Sequence, residues 1–377
     1  MLKFSDIMTM LHGNNRTTSV DFIRTAALIG ICIVNLPYLA LPIEKTFVQP
    51  DGLCNQIATV LLRTLFEAKF FLIFSFLFGW GFAVQMHSAA RAGASFSSRY
   101  FRRLAGLALF GCLRAIFVFT GDILLLYAFL GLFLWPLRNV VPDRLLKLSL
   151  WMILLSFVSL AVLGLLLGSG LSLPSANALS GGFVDATLAR LTAWMPTFAF
   201  LMLFQGPLAF AAFLCGLAAA KSDFFSSGSR GRSRLARAFP WLLGVGLVGN
   251  LLMALAPPED EILAFFSLLG TSVAAPVLSA AWLHVLLVAG DRIHLPEILI
   301  RSGQNSLTAY ILQGVLAGFV FGGYGLGLFD RLGQAALLVA APLIALCAML
   351  LAGLIARSSG RAPFEAFLRR ITYGTTT

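Results

Sequence analysis

Ten apolar runs of about 17–28 residues divide this chain, and roughly 20 such residues are what a helix needs to cross the hydrocarbon of a bilayer. They fall at 22–42, 69–86, 103–120, 122–138, 147–169, 193–220, 239–257, 262–289, 305–329 and 333–356. Inside hydrocarbon the backbone must satisfy its own hydrogen bonds, so runs of this length become helices. Composition points the same way. Only 11% of the 377 residues are charged and 59% are hydrophobic, against about a quarter charged in an average soluble domain. So little polar surface could not cover a water-facing core of this size. The expected fold is an all-α, polytopic transmembrane bundle of about ten helices, forming a single domain over 1–377. The mixed stretch 55–67 is expected along the interface. Only Gly121 and its neighbours separate the third and fourth runs, which predicts a tight helical hairpin.

The formal charge of +11 could suggest nucleic acid as a partner. Instead, the basic residues sit in short loops between apolar runs, where they orient the chain and meet anionic lipid heads. With the N-terminus inside, 20 of the 27 Lys and Arg residues lie on the cytoplasmic side. Only Lys45, Arg63, Lys69, Arg190 and Arg331 lie opposite, while Arg24 and Arg114 fall within spans. Both ends are therefore expected in the cytoplasm, with the chain multi-pass in a bacterial inner membrane. The segment before the first run is long and weakly basic, so that run is expected to be a span rather than a cleaved leader. Segment 221–238, rich in Ser, Gly and Arg, is expected to be a flexible cytoplasmic loop touching anionic lipid. The partners expected are thus the phospholipid bilayer and no nucleic acid, with oligomeric state left open.

Ionisable and polar groups inside apolar runs are costly, so they mark the places where function should be sought. In the first span Asp21 and Arg24 are three residues apart and can pair on one helix face. Asn35 follows Arg24 by 11 residues, almost three whole turns, and projects from that face too. Arg114 lies deep in the third span and needs an acceptor, for which Asp122, Glu67 and Asp21 are candidates. A guanidinium there could instead hold a carboxylate or phosphate. Glu67 and Lys69 open the second span, where Gly79 and Gly81 allow close helix approach. The ninth span opens with GQNSLTAYILQG, placing Asn305, Thr308, Tyr310 and Gln313 in its first turns, with Asn305 a possible helix cap.

Other chemistry finds little support. The five cysteines form no C-x-x-C pair, and no spaced histidine or carboxylate cluster suggests a metal. The glycines at 322, 323, 325 and 327 lack the strand and lysine of a phosphate loop, so a helix end or close packing is expected. On the expected topology none of the four histidines reaches the outer face, which excludes an outer histidine base.

Four stretches, RTTSVDFIRTAALIGICIVN (16–35), EAKFFLIFSFLFGWGFAVQ (67–85), RRLAGLALFGCLRAIFVFTGDILLLYAFLG (102–131) and GQNSLTAYILQG (303–314), together resemble the YeiB-like bacterial inner-membrane family. The tail APFEAFLRRITY (362–373) is similar to that family's closing motif, with Pro363, Glu365, Arg369 and Tyr373 in place. The family is in turn distantly similar to membrane acyltransferases, with which it shares the opening Asp-x-x-Arg and a polar residue 11 positions on: here Asp21, Arg24 and Asn35. Two positions depart from the pattern. Thr25 stands where the family usually has glycine, and Arg114 where it commonly has histidine, eight residues before the Asp of Gly121-Asp122-Ile123-Leu124.

The resemblance implies an acyltransferase-like protein moving an acyl group onto a lipid, glycan or small acceptor, with an acyl donor such as acyl-CoA and no other cofactor. Asp122, Arg114 and Glu67 are then the candidate catalytic residues. Asp21, Arg24, Asn35, Lys69, Tyr310 and Gln313 are the candidate substrate contacts. A transporter of a small or amphiphilic solute, using Arg24, Arg114 and Asn35 as midplane ligands, is the first alternative. A non-catalytic membrane partner or sensor is the second.

Overall fold

The computed structural model describes residues 4–169, 180–226 and 228–374, with side-chain surroundings from Ser19 onward. Every regular element among them is helical. Six helices are long and apolar enough to cross a membrane, over Ser19–Ala40, Pro142–Gly168, Phe183–Phe204, Arg230–Leu255, Glu261–Arg292 and Gln334–Ser359. Shorter apolar helices cover Ile123–Asn139, Gly206–Lys221 and Ser306–Phe321.

The first helix, α1 (Phe4–Ala40), begins 18 residues before the expected start at 22, because nothing between the polar N-terminal segment and the apolar run breaks a helix. Short α2 (Ile43–Phe47) and α3 (Leu53–Leu65) follow. On α3 Leu53, Ile57 and Leu61 form an exposed stripe at helical spacing, while Ala58 and Leu62 face inward. The segment expected along the interface is thus a helix with one apolar face exposed and the other packed inward. Helices α4 (Lys69–Arg91), α5 (Phe96–Phe117) and α6 (Ile123–Leu134) come next. The turn between α5 and α6 is as tight as expected. A Cβ on Gly111 would come within 3 Å of the backbone of Leu125, so the helix pair packs at that glycine.

A 3₁₀ turn leads from α6 into α7 (Pro142–Gly168). The expected single span 193–220 is two helices, α8 (Phe183–Phe204) and α9 (Gly206–Lys221). Pro207 explains the break: it cannot donate to the preceding turn and its ring disfavours helix just before it. The expected flexible loop 221–238 is also shorter. Ser229 caps α10 (Arg230–Leu255) through its side chain, which accepts from the Arg232 N–H. Residues 230–238 are therefore helical, and Arg232 pairs with Asp291 at the end of α11 (Glu261–Arg292).

After α11 come α12 (Glu297–Gln304) and α13 (Ser306–Phe321), which breaks off eight residues before the expected end at 329. The glycine-rich segment turns there: Gly322 ends the helix and Gly327, at φ +65°, adopts a left-handed conformation that side chains rarely take. Asp330 then donates its N–H to the carbonyl of Ala40 at 2.8 Å, tying this turn to the end of α1. Helices α14 (Gln334–Ser359) and α15 (Pro363–Tyr373) complete the chain.

Helix α1 runs through the middle, packed on α4, α11, α12, α13 and α14. The closest pair is α4 with α9, where Gly79 faces the Phe213 carbonyl and Gly216 the Phe76 carbonyl. In contrast, α7 and α10 expose Leu150, Trp151, Leu154, Val158 and Leu165, and Trp241, Val245, Val248, Leu252 and Leu255. Apolar faces this extensive belong against lipid. Buried Asn250, singled out by nothing in the sequence reading, joins α10 to α11 by donating to the Ala274 carbonyl at 2.7 Å.

Candidate functional site

The polar residues of the spans gather in three groups. The most enclosed is built on the α5–α6 turn. Arg114, one turn before the end of α5, donates from Nη1 to Asp122 Oδ2 at 2.7 Å and to the Tyr310 hydroxyl at 2.9 Å. Both ionic side chains are at most 2% exposed. The guanidinium also lies 3.9 Å from the centroid of the Tyr310 ring, a cation–π contact strengthened by the lack of water. Asp122 serves twice, since its Oδ1 accepts the Leu124 N–H at 2.7 Å and caps α6. Of the acceptors weighed for Arg114, Asp122 is the one that meets it.

Two features show where this group faces. Arg114 Nε is buried and has no hydrogen-bond partner among the described residues. Arg114 also lines a cavity of ≈ 10 Å³ with Cys32, Asn35, Gln313 and Gly314, about room for one water. Gly314 is required: a Cβ there would stand 3.0 Å from Arg114 Nη2 and press on Val118. Gln313 donates to the Leu28 carbonyl at 3.2 Å, fixing α13 to α1. Asn35, Arg114, Asp122, Tyr310 and Gln313 thus converge as one centre.

Asp21 and Arg24 form a second group. They pair at 3.1 Å as their spacing predicts, and Gln304 Nε2 donates to the other Asp21 oxygen at 2.9 Å. Arg24 is 28% exposed and lies near the Trp80 ring. Along α1 it is about 16 Å from Asn35, so the first-span stripe serves two separate places rather than one. Thr25, in place of the family's glycine, fits because Gly303 leaves room: its hydroxyl donates to the Asp21 carbonyl at 2.9 Å.

The third group surrounds the start of α4. Lys69 is 2% exposed and donates to the Arg63 carbonyl at 2.7 Å, while Glu67 lies close to Tyr38. Between them Ala68 has φ +63°, a left-handed conformation that costs a non-glycine residue of order 1–3 kcal/mol and tends to persist at functional sites.

The sequence reading missed four participants. Gln304 and Tyr38 carry no charge to draw attention, although Tyr38 is one turn beyond Asn35. Arg190 was expected in an outer loop, yet it is buried on α8 and donates to the Phe117 carbonyl at 3.1 Å. The fourth is Glu365, named only through the resemblance. Asn305 stands at the cap position of α13, but its side chain accepts from Ala362 N–H instead. Capping falls to Glu365 on α15, whose Oε1 accepts from the N–H groups of Leu307 at 2.6 Å and Thr308 at 3.0 Å. Burial pushes the Glu365 carboxyl above its ordinary range, and these hydrogen bonds pull it partly back. All five cysteines are free thiols. Among the described residues no three His, Cys, Asp or Glu side chains form a metal-binding group.

Residues 219–375 match the family model described as "Protein of unknown function (DUF418)". A curated relative, the Uncharacterized protein YxaH of Bacillus subtilis (strain 168), is 28% identical over 96% of this chain and 95% of its own length. The Uncharacterized protein YeiB of Escherichia coli (strain K12) is 29% identical over 34% of this chain and 32% of its own. The chain is thus similar to the YeiB-like DUF418 family, in line with the resemblance its motifs carry. An uncharacterized 39.9 kDa protein of Bacillus acidopullulyticus is 33% identical over 39% of the chain and 40% of its own length. No solved structure matches. The DUF418 match takes in α10 to α15, and with them Tyr310, Gln313 and Glu365, whereas Arg114 and Asp122 lie before it.

Proposed function

We propose that this chain is an acyltransferase-like protein of the bacterial inner membrane, crossing it about ten times as a single domain with both ends in the cytoplasm. The observation carrying this reading is Arg114 Nε, a buried N–H donor without a partner beside Asn35 and Gln313. A fixed donor in a dry site is what a developing oxyanion needs. In acyl transfer an acceptor hydroxyl attacks the acyl carbonyl carbon, a new C–O bond forms, and the bond to the donor's leaving group breaks. Arg114 would hold the carbonyl oxygen as charge builds on it, with Asp122 and Tyr310 fixing the guanidinium. Both Asp122 oxygens are already engaged. Glu67, close to Tyr38 and in no ion pair among the described residues, is then the candidate base to take the hydroxyl proton and return it to the leaving group, which requires the bound substrate to reach from the Arg114 centre to the start of α4. An acyl-CoA or acyl-lipid is the donor class that fits. A cavity with room for one water requires α1, α5 and α13 to part before a donor enters.

Transport is a second reading, favoured by the α8–α9 break inside an apolar segment, since discontinuous helices build many transporter sites. One purified sample separates the two. Mass spectrometry of bound small molecules and of lipid or glycan acceptors should reveal an acyl donor and an acylated product. Counterflow in proteoliposomes with no covalent product would favour transport and remove the acyl-transfer reading.

A further inference from the structure

A second cleft, larger than the cavity beside Arg114, lies away from that centre and shares no residue with it. It has a volume of ≈ 410 Å³ and is lined by Met86, His87, Arg138, Asn139, Lys221 and Asp223, together with Ala220. Three chain segments make it: the end of α4, the turn between α6 and α7, and the end of α9 with the turn that follows. That volume falls in the ordinary range for small-molecule sites.

Its chemistry is that of an anion site. Lys221 Nζ donates to the carbonyls of Arg138 at 2.7 Å and Val140 at 2.6 Å. These bonds fix the ammonium at the cleft but leave its charge unneutralised: no carboxylate lies within ion-pair distance among the described residues. Arg138 is held similarly, by a hydrogen bond to the Trp135 carbonyl at 3.2 Å and a stack on the Trp135 ring at 4.5 Å, again without an ion pair. His87 donates its Nδ1 hydrogen to the Ala83 carbonyl at 2.9 Å, which leaves Nε2 for a ligand. Asp223 is the single carboxylate in the lining. Two pre-positioned cations and an imidazole around an open cleft therefore await an anion with several oxygens. The flanking surface adds a second indication. Leu132, Phe133 and Val141, next to Arg138 in the chain, are 47–54% exposed and apolar. The cleft thus sits at the edge of a lipid-facing band.

We infer that this cleft binds a net-anionic phosphate monoester or diester, through Arg138, Lys221 and His87, whether borne by an anionic phospholipid headgroup or by a soluble molecule. The inference does not depend on the acyl-transfer reading. To test it, the delipidated full chain is titrated with phosphatidylglycerol micelles, with phosphatidylcholine micelles, and separately with glycerol 3-phosphate, with thermal unfolding as the readout. A rise with phosphatidylglycerol alone identifies a lipid headgroup, and a rise with glycerol 3-phosphate identifies a soluble ligand. Arg138→Gln should weaken the effective ligand about tenfold, and Asp223→Asn should strengthen it. Lys221→Arg, which keeps the charge, guards against misreading a folding defect. The proposal is overturned if neither anionic probe outperforms phosphatidylcholine, whose phosphodiester is neutralised by its own choline, or if Arg138→Gln and Asp223→Asn both bind like the unaltered chain.

Discussion

Replacing Asp122 with asparagine separates charge from shape at the Arg114 centre. Asparagine is as good a helix cap as aspartate, so the hydrogen bond to Leu124 that starts α6 survives. What disappears is the countercharge of a guanidinium that is 2% exposed and 2.7 Å from its partner. Unit charges about 4 Å apart attract by about 4 kcal/mol at an effective dielectric constant near 20. Stranding one member of a buried pair typically costs about 3–5 kcal/mol. Asp122→Asn and Arg114→Met should each fall in that range. The double variant leaves no buried charge and should recover most of the loss, since apolar replacement of a whole buried pair is often close to neutral. A double variant that costs no more than either single one corresponds to a coupling of at least about 3 kcal/mol, the upper end of what residues in direct contact show. Denaturant titration in bicelles, followed by tryptophan fluorescence, measures all four corners of the cycle. If the two losses simply add, Arg114 and Asp122 do not depend on each other and the centre described here is wrong.

Arg114→Ala and Asp122→Asn should also abolish function in a complementation test; wild-type growth from both would mean the site is misplaced. Gly216→Val drives a side chain into the Phe76 carbonyl and should cost more than the roughly 1–3 kcal/mol of ordinary overpacking, because backbone cannot step aside as a side chain can. A Gly216 variant as stable as the parent in the same titration would contradict the α4–α9 packing. For Glu365, the raised carboxyl means the folded state holds the proton more tightly than the unfolded chain does. Its contribution is therefore fullest below the ordinary carboxylate value of 4.5 and declines as pH rises through the raised one. Glu365→Gln should gain on the parent as pH rises from 4.5 through the raised value, and a constant gap between the two unfolding midpoints would refute this. Reporter fusions within 222–229 should read as cytoplasmic and those at 331–333 as external, and the reverse pattern would overturn the orientation.

Sequence alone carried the helical class and much of the centre. Hydrocarbon length fixes run length, and a guanidinium in a run of leucine and phenylalanine demands a partner, so Arg114 could be given a short set of acceptors with Asp122 among them, but not the choice between Asp122, Glu67 and Asp21. Spacing likewise put Asp21 beside Arg24. It could not divide the stripe of α1, because Arg24 and Asn35 share a face whether or not they share a site. Local breaks were also hidden. Hydropathy averages across Gln205 as though Pro207 were silent, and it extends the ninth run through glycines that in fact end α13 at Phe321. The role of Glu365 was out of reach for a different reason: its partners, Leu307 and Thr308, are more than fifty residues away, and no periodicity links them.

That long-range bond bears on how the molecule comes into being. Helix α15 leaves the ribosome after α5 and α13, yet it touches both: Leu368 fills the space over Gly106 of α5, and Glu365 closes the open end of α13. Until α15 is made, the first amides of α13 must find water. A nascent chain halted at Gly360 would already hold α5 and α13 and still lack the piece that keeps the two in register, so their packing waits on a segment synthesised after both.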